Sequence, residues 1–313
     1  MKDRRVRLFL LGLVLFALAT FGGSLGLGGS SDWTARAPMP DERSEVAAAV
    51  RGREVVVAGG FRADGTNSAR VDAYTPASDS WRRLHDLPLA VDHAAAAGDG
   101  RRVYVAGGYT ATRSRSRSVF ALAGSSWARL RAMPEPRAAA GAAVVSGKLY
   151  VVGGVAATGL AREMLVYDLR TKVWTRRPGP APREHLAVVA SGGTIYALGG
   201  RSAGIDTNLA LAQAYDVARR RWRTLPPLPS ARGGTGAAAV GGRVVSAGGE
   251  EPAGTIASVY VLEDGRRWRR LPDLPTPRHG LGVVSVGGVV FAVAGGREPG
   301  LTVSGANEAL DLR

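Results

Sequence analysis

A glycine pair closes an apolar run six times in this chain, at nearly even spacing. The runs are VVVAGG (Gly59, Gly60), VYVAGG (Gly107, Gly108), YVVGG (Gly153, Gly154), IYALGG (Gly199, Gly200), VVSAGG (Gly248, Gly249) and FAVAGG (Gly295, Gly296). Successive pairs lie 48, 46, 46, 49 and 47 residues apart. The six tryptophans, Trp33, Trp81, Trp127, Trp174, Trp222 and Trp268, keep the same count, each 25 to 27 residues before a pair. Glycine loses the most freedom on ordering and adds nothing to a core. A chain that repeats it at strand ends needs backbone there that a side chain would obstruct. Two independent markers sharing one period require a repeat architecture.

Each period holds four short apolar runs separated by Gly, Pro, Asp or Ser, as in REHLAVVASGGTIYALGG and LAQAYDVARRRWRTLPPLPS. Tight hairpins (RGR, GDG, SGK, SGG, VGG) join the first two runs. We label the strands a, b (ending in Gly-Gly), c (ending in Tyr-Asp or its equivalent) and d (holding Trp). Such units cover one another only when stacked in a ring. The expected fold is therefore all-β: a six-bladed β-propeller of four-stranded antiparallel blades over residues 31–313. The last unit ends without a tryptophan, and SDWTARAPMP, with Trp33, stands unused at the other end. The N-terminal strand is expected to complete the sixth blade.

Gly-Gly after strand b, the pairs Tyr167–Asp168 and Tyr215–Asp216, the following tryptophans and the joints RAPMPDER, LRAMPEPR and LPDLPTPR resemble the Kelch repeat. The resemblance runs from about residue 31 to the end. Unit two departs from it with Phe120 for the tyrosine and Val91 for the joint arginine, and unit five has Tyr260 without the aspartate. Cysteine is absent. That removes thiol chemistry and the Tyr–Cys copper centre of the galactose oxidases, which share the Kelch propeller. No cofactor and no metal is expected.

Residues 1–30 read as a signal peptide or N-terminal membrane anchor with a Gly/Ser-rich linker. MKDRRVR precedes the apolar stretch Leu8–Phe16 and ALAT, with cleavage expected after Ala19. The chain is thus expected to be exported, to the cell envelope or beyond, as a monomer. Thirty-eight of its 41 basic residues are arginine. The net charge of +15 becomes +12 once residues 1–19 leave, with four basic and one acidic residue. Much of the excess falls on strand d, in WRRL, WARLR, RRRWRT and GRRWRR. Charge on an outer edge strand blocks edge-to-edge aggregation; a basic rim also suits anionic envelope polymers. Nucleic acid is not expected in an exported protein.

Antiparallel alternation puts the d–a joints and the b–c loops on one face, where variable loops on a rigid ring carry binding sites. The joints supply Arg43, Arg137, Arg183, Arg232 and Arg278, one per blade in five blades. In the cytoplasmic Kelch adaptors that the chain resembles, joint arginines hold carboxylates of an acidic peptide. The resemblance makes these five ligand-binding candidates; the alternative is that each bonds to a neighbouring blade's backbone. Arg113, Arg115 and Arg117 form a further basic run in the second blade's loop. His93 and His185 hold the slot two residues past the arginine position, and Glu45 holds it in blade one. Such groups bind ligands, and Glu45, Glu184 and His185 are the acid/base candidates if the protein is an enzyme. The favoured function is a non-enzymatic propeller binding a protein or glycan by its top face. The alternatives are a sugar-modifying enzyme similar to the Kelch-propeller sialic acid epimerases, and an envelope adhesion module acting through its rim.

Overall fold

The computed structural model describes residues 32–313. The leader and its cleavage point lie outside the described residues. Six antiparallel four-stranded sheets follow one another along the chain, accompanied by two small two-stranded hairpins. Blade one consists of Ala47–Arg51, Glu54–Ala58, Val71–Thr75 and Ser80–Arg83. Its composition follows its radius. In strand b every residue after Glu54 is buried, while Ser80, Arg82 and Arg83 of strand d are exposed. The innermost strands crowd the axis and carry small side chains: Ala48, Ala96, Ala142, Val188, Ala237 and Val283 line the channel.

Blade six consists of Gly282–Val286, Val289–Val293 and Asn307–Asp311, completed by Thr34–Ala35. Thr34 pairs with Ala309 and Ala35 with Glu308. The ring is closed by the first strand of the propeller, as its repeat count requires.

The core is divided rather than central. Each blade interface has its own apolar cluster: Val56, Ala58, Val105 and Leu122 meet between blades one and two, and Val55, Tyr74, Phe291 and Ala309 between six and one. Two rings of hydrogen bonds stitch these interfaces. On the outside, each indole N–H donates to a carbonyl of the preceding blade's d–a joint. Trp81 reaches Ala37, Trp127 His85, Trp174 Arg131, Trp222 Pro178, Trp268 Pro226, and Trp33 closes the circle on Pro272, all at 2.7–2.9 Å.

The inner ring answers the glycine question. In five blades the N–H of the second glycine donates at 2.8 Å to the next blade's joint, as Gly108 does to the Arg137 carbonyl. A Cβ on Gly107 would lie 2.1 Å from that same oxygen. No side chain fits, so the residue is glycine for lack of space as well as for its φ of 73°. Blade six is offset by one residue. Gly295 makes the equivalent bond, to Arg43, and Ala294 takes the preceding left-handed place with φ 58°. The matching residues there are Ala294–Gly295, not Gly295–Gly296.

Strand register corrects two further assignments. Tyr74, Tyr167 and Tyr215 each stand opposite the tryptophan of their own blade. The residues in that place in blades two and five are Leu122, opposite Trp127, and Leu262, opposite Trp268. Phe120 and Tyr260 lie two residues upstream, on the same face but one pleat away. Two b–c loops also carry small hairpins, Val155–Ala156 with Gly159–Leu160 and Glu250–Glu251 with Gly254–Thr255. No described helix is long and apolar enough to cross a membrane.

Candidate functional site

The site is the top mouth of the axial channel. Its floor is a collar of six residues at one slot of each joint: Glu45, His93, Ala139, His185, Gly234 and Gly280. All six have φ between 49° and 62°. Backbone bonds run round the collar from blade to blade. His93 N donates to Glu45 O, Ala139 N to His93 O, His185 N to Ala139 O, Gly234 N to His185 O and Gly280 N to Gly234 O, at 2.9–3.0 Å; Val46 N closes the circle on Gly280 O at 3.2 Å. Four of the six are not glycine. A left-handed backbone costs such residues about 1–2 kcal/mol each, and the collar bonds hold them in it. The Glu45, His93 and His185 side chains line the mouth.

Above the collar an ionic network crosses the axis. Glu45 lies between two histidines, with Oε2 3.2 Å from His93 Nε2 and Oε1 3.1 Å from His279 Nδ1. His93 Nδ1 bonds to Asp92, whose other oxygen takes Asn67 Nδ2 at 2.6 Å and Arg113 Nη1 at 2.8 Å. Arg201 donates to Glu184 (3.2 Å), Glu250 (2.9 Å) and His185 Nε2 (2.9 Å). His185 Nδ1 lies 3.2 Å from Glu184 Oε1. His279 Nδ1 is 3.6 Å from Glu250, and its Nε2 faces the Glu298 carbonyl at 3.0 Å. Blades one, two, four, five and six all contribute.

The electrostatics follow from these contacts. Burial pushes the Glu45 carboxyl up, but His93, the His279 hydrogen bond and His185 outweigh it and hold it well below the usual range. Burial lowers His93, yet Glu45 and Asp92 raise it more, so its net shift is upward. His279 behaves likewise: burial lowers it, and Glu45 and Glu250 more than compensate. His185 goes the other way, lowered by burial against the raising effect of Glu184. It stays neutral and accepts from Arg201, which can only donate.

The joint arginines occupy a different place from the one expected. Arg43, Arg137, Arg183, Arg232 and Arg278 are at most 1% exposed. Each reaches down into its own blade. Arg183 donates to the Gly199 carbonyl at 2.7 Å, the Ala197 carbonyl at 3.0 Å and Gln213 Oε1 at 2.7 Å. Arg43 holds the Gly59 and Arg70 carbonyls and the Asp72 carboxylate, and Arg278 holds Glu308. Arg232 bonds to Gly248 and Ser258, and Arg137 to Glu135 and Glu163. Four of them tie strands b and c of one blade to its joint, and Arg137 ties strand c alone, all beneath the surface a ligand would touch. Neither a ligand clamp nor a bond to the neighbouring blade describes them.

Arg113, Arg115 and Arg117 diverge because loop residues fan outward. Arg113 packs over the Tyr109 and Phe61 rings, 4.5 and 5.2 Å from their centroids, beside Asp92. Arg115 leans toward Ala157 of blade three, and Arg117 bonds to the Met133 carbonyl. Much of the strand d charge is paired, as in Arg82–Glu54, Arg176–Glu163, Arg269–Glu263 and Arg270–Asp273. Asp92 and Arg201 were not singled out from the sequence. The signal for Asp92 was the pair of dipeptides Asp92–His93 and Glu184–His185 at one repeat position; Arg201 had none.

A ring closed by its first strand, with a joint arginine under a glycine pair, defines a Kelch-type β-propeller. The family model described as the KLHDC2/KLHL20/DRC7 Kelch-repeats domain matches residues 46–249, and the chain belongs to the Kelch-repeat family. No curated protein matches it. The fold is that of a protein-binding module.

Proposed function

We propose that this is a non-enzymatic binding propeller that takes a segment of a partner protein on its top face and works outside the cytoplasm after export. The observation that carries the reading is Leu301. It is 62% exposed, the most exposed large apolar side chain among the described residues. It stands at the tip of the sixth b–c loop, against the first loop at Gly65. Arg62, Arg297 and Glu298 belong to the same two loops. An exposed apolar anchor on loops that also carry charge suits a polypeptide better than a glycan.

The mouth itself argues against a sugar-modifying enzyme. The collar encloses about 100 Å³, whereas small-molecule sites span roughly 300–1,000 Å³. Its Glu and His side chains are close enough for acid/base work but are engaged with one another. The paired arginines of strand d suit edge protection better than adhesion. Export rests on the basic and apolar pattern of residues 1–19.

The test is a random-peptide display selection run beside a glycan array, both on the mature chain. Peptides are expected to enrich, and Leu301→Asp and Arg62→Glu to reduce their binding at least tenfold. Binding to glycans alone, or peptide binding indifferent to both substitutions, would overturn the reading.

A further inference from the structure

The mouth holds a second kind of site, independent of what docks above it. His93 and His185 share one position of the repeat, and each follows an acidic residue, Asp92 and Glu184. In both cases that carboxylate lies against the histidine's own Nδ1. Asp92 is hydrogen-bonded to His93 Nδ1, the arrangement in which metal-ligating histidines leave Nε2 to the metal, while Glu184 stands 3.2 Å from His185 Nδ1, a buried atom with no hydrogen bond of its own. Two contacts locate those Nε2 atoms: Glu45 Oε2 is 3.2 Å from that of His93, and Arg201 Nη2 is 2.9 Å from that of His185. One ligand atom from each of Glu45, His93 and His185 lies within 4.8 Å of the others. Bonds of about 2.1 Å at tetrahedral angles keep ligand atoms roughly 3.4 Å apart. Small side-chain rotations suffice.

Charge supports the same conclusion. With neutral imidazoles, Glu45, Asp92, Glu184 and Glu250 face only two guanidinium groups, those of Arg113 and Arg201. Four carboxylates against two guanidinium groups leave two negative charges, which protons on His93 and His279 balance without a metal and which a divalent ion balances in their place. Glu45 is held from its other side by His279, which aims the carboxylate at the axis.

We propose that His93 Nε2, His185 Nε2 and a Glu45 carboxylate oxygen form a binding site for one divalent transition-metal ion, with Asp92 and Glu184 as the carboxylates behind the histidines. Two imidazoles and a carboxylate favour zinc, cobalt, nickel or copper over magnesium or calcium. Coordination positions facing the mouth remain for water or a donor from above. Arg201 competes for His185 and is displaced from it on binding, keeping its two carboxylates.

The experiment is a Co²⁺ titration of the EDTA-treated full chain, followed by ligand-field absorption. One Co²⁺ per chain is expected, displaced by Zn²⁺. His93→Ala and His185→Ala should each weaken binding at least about 100-fold, and Asp92→Asn about 10- to 100-fold. Arg201→Gln should tighten it, and His85→Ala, an exposed histidine away from the mouth, should leave it unchanged. If the histidine variants do not fold, pulsed EPR of the Cu²⁺-loaded wild type decides, with the remote nitrogens of two imidazoles expected. Sub-stoichiometric Co²⁺, affinity indifferent to the His93 and His185 substitutions, or fewer than two imidazoles would overturn the proposal.

Discussion

At the scale of the residue, the joint arginines show why position in a repeat does not tell inside from outside. A guanidinium has five donors, and a strand that ends in glycine frees carbonyls for them. Arg278 takes the Ala292 carbonyl and Glu308, and both partners are buried with it. Arg278→Met leaves that carboxylate without its cation and should destabilise the fold by about 3–5 kcal/mol, read by urea unfolding. Peptide binding by the surviving folded fraction should not change. The glycine positions make an opposite pair. Gly107→Ala forces a Cβ against a backbone oxygen in a left-handed conformation and should cost about 2–4 kcal/mol. Ala294→Gly relieves such a conformation and should raise stability by about 0.5–1 kcal/mol, both read by thermal melting.

At the scale of the element, each blade is held by cross-strand pairs and by the turn between strands c and d. Tyr74 donates its hydroxyl to Asp79 in that turn at 2.6 Å, while Tyr104 donates to Asp99 in an a–b turn at 2.7 Å. Burial and the Asp99 bond push Tyr104 up to about 12. A group whose folded pKa lies above its unfolded value of about 10 adds stability that is complete below pH 10. That stability is lost as pH rises through 12. Wild type should therefore lose melting temperature faster than Tyr104→Phe between pH 10 and 12. Equal slopes would show that the Tyr104–Asp99 bond does not matter. The blade pattern was legible from the sequence because hydrophobic alternation and turn residues are local. Leu122 and Leu262 were not, since only the cross-strand register shows which residue stands opposite a tryptophan.

At the scale of the whole molecule, stability is distributed over six interfaces, and closure joins the first to the last. Trp33 packs against the cluster of blades five and six and donates to Pro272. Trp33→Ala should cost about 3–5 kcal/mol, and Trp33→Phe about 1 kcal/mol for the lost hydrogen bond. A loss for Trp33→Ala no larger than for a surface substitution would mean that the seam is not closed there.

The sequence by itself determined the number of blades, the strand order within each and the seam. All three follow from period, alternation and an unmatched tryptophan, which are counted along the chain. Only the tertiary structure decided that the repeated arginines are internal ties and that Glu45, His93, His185 and His279 meet across the axis. A ring brings together residues from blades far apart in sequence, and the left-handed collar aims them inward. Neither the diameter of the mouth nor the direction of a side chain is written in a spacing.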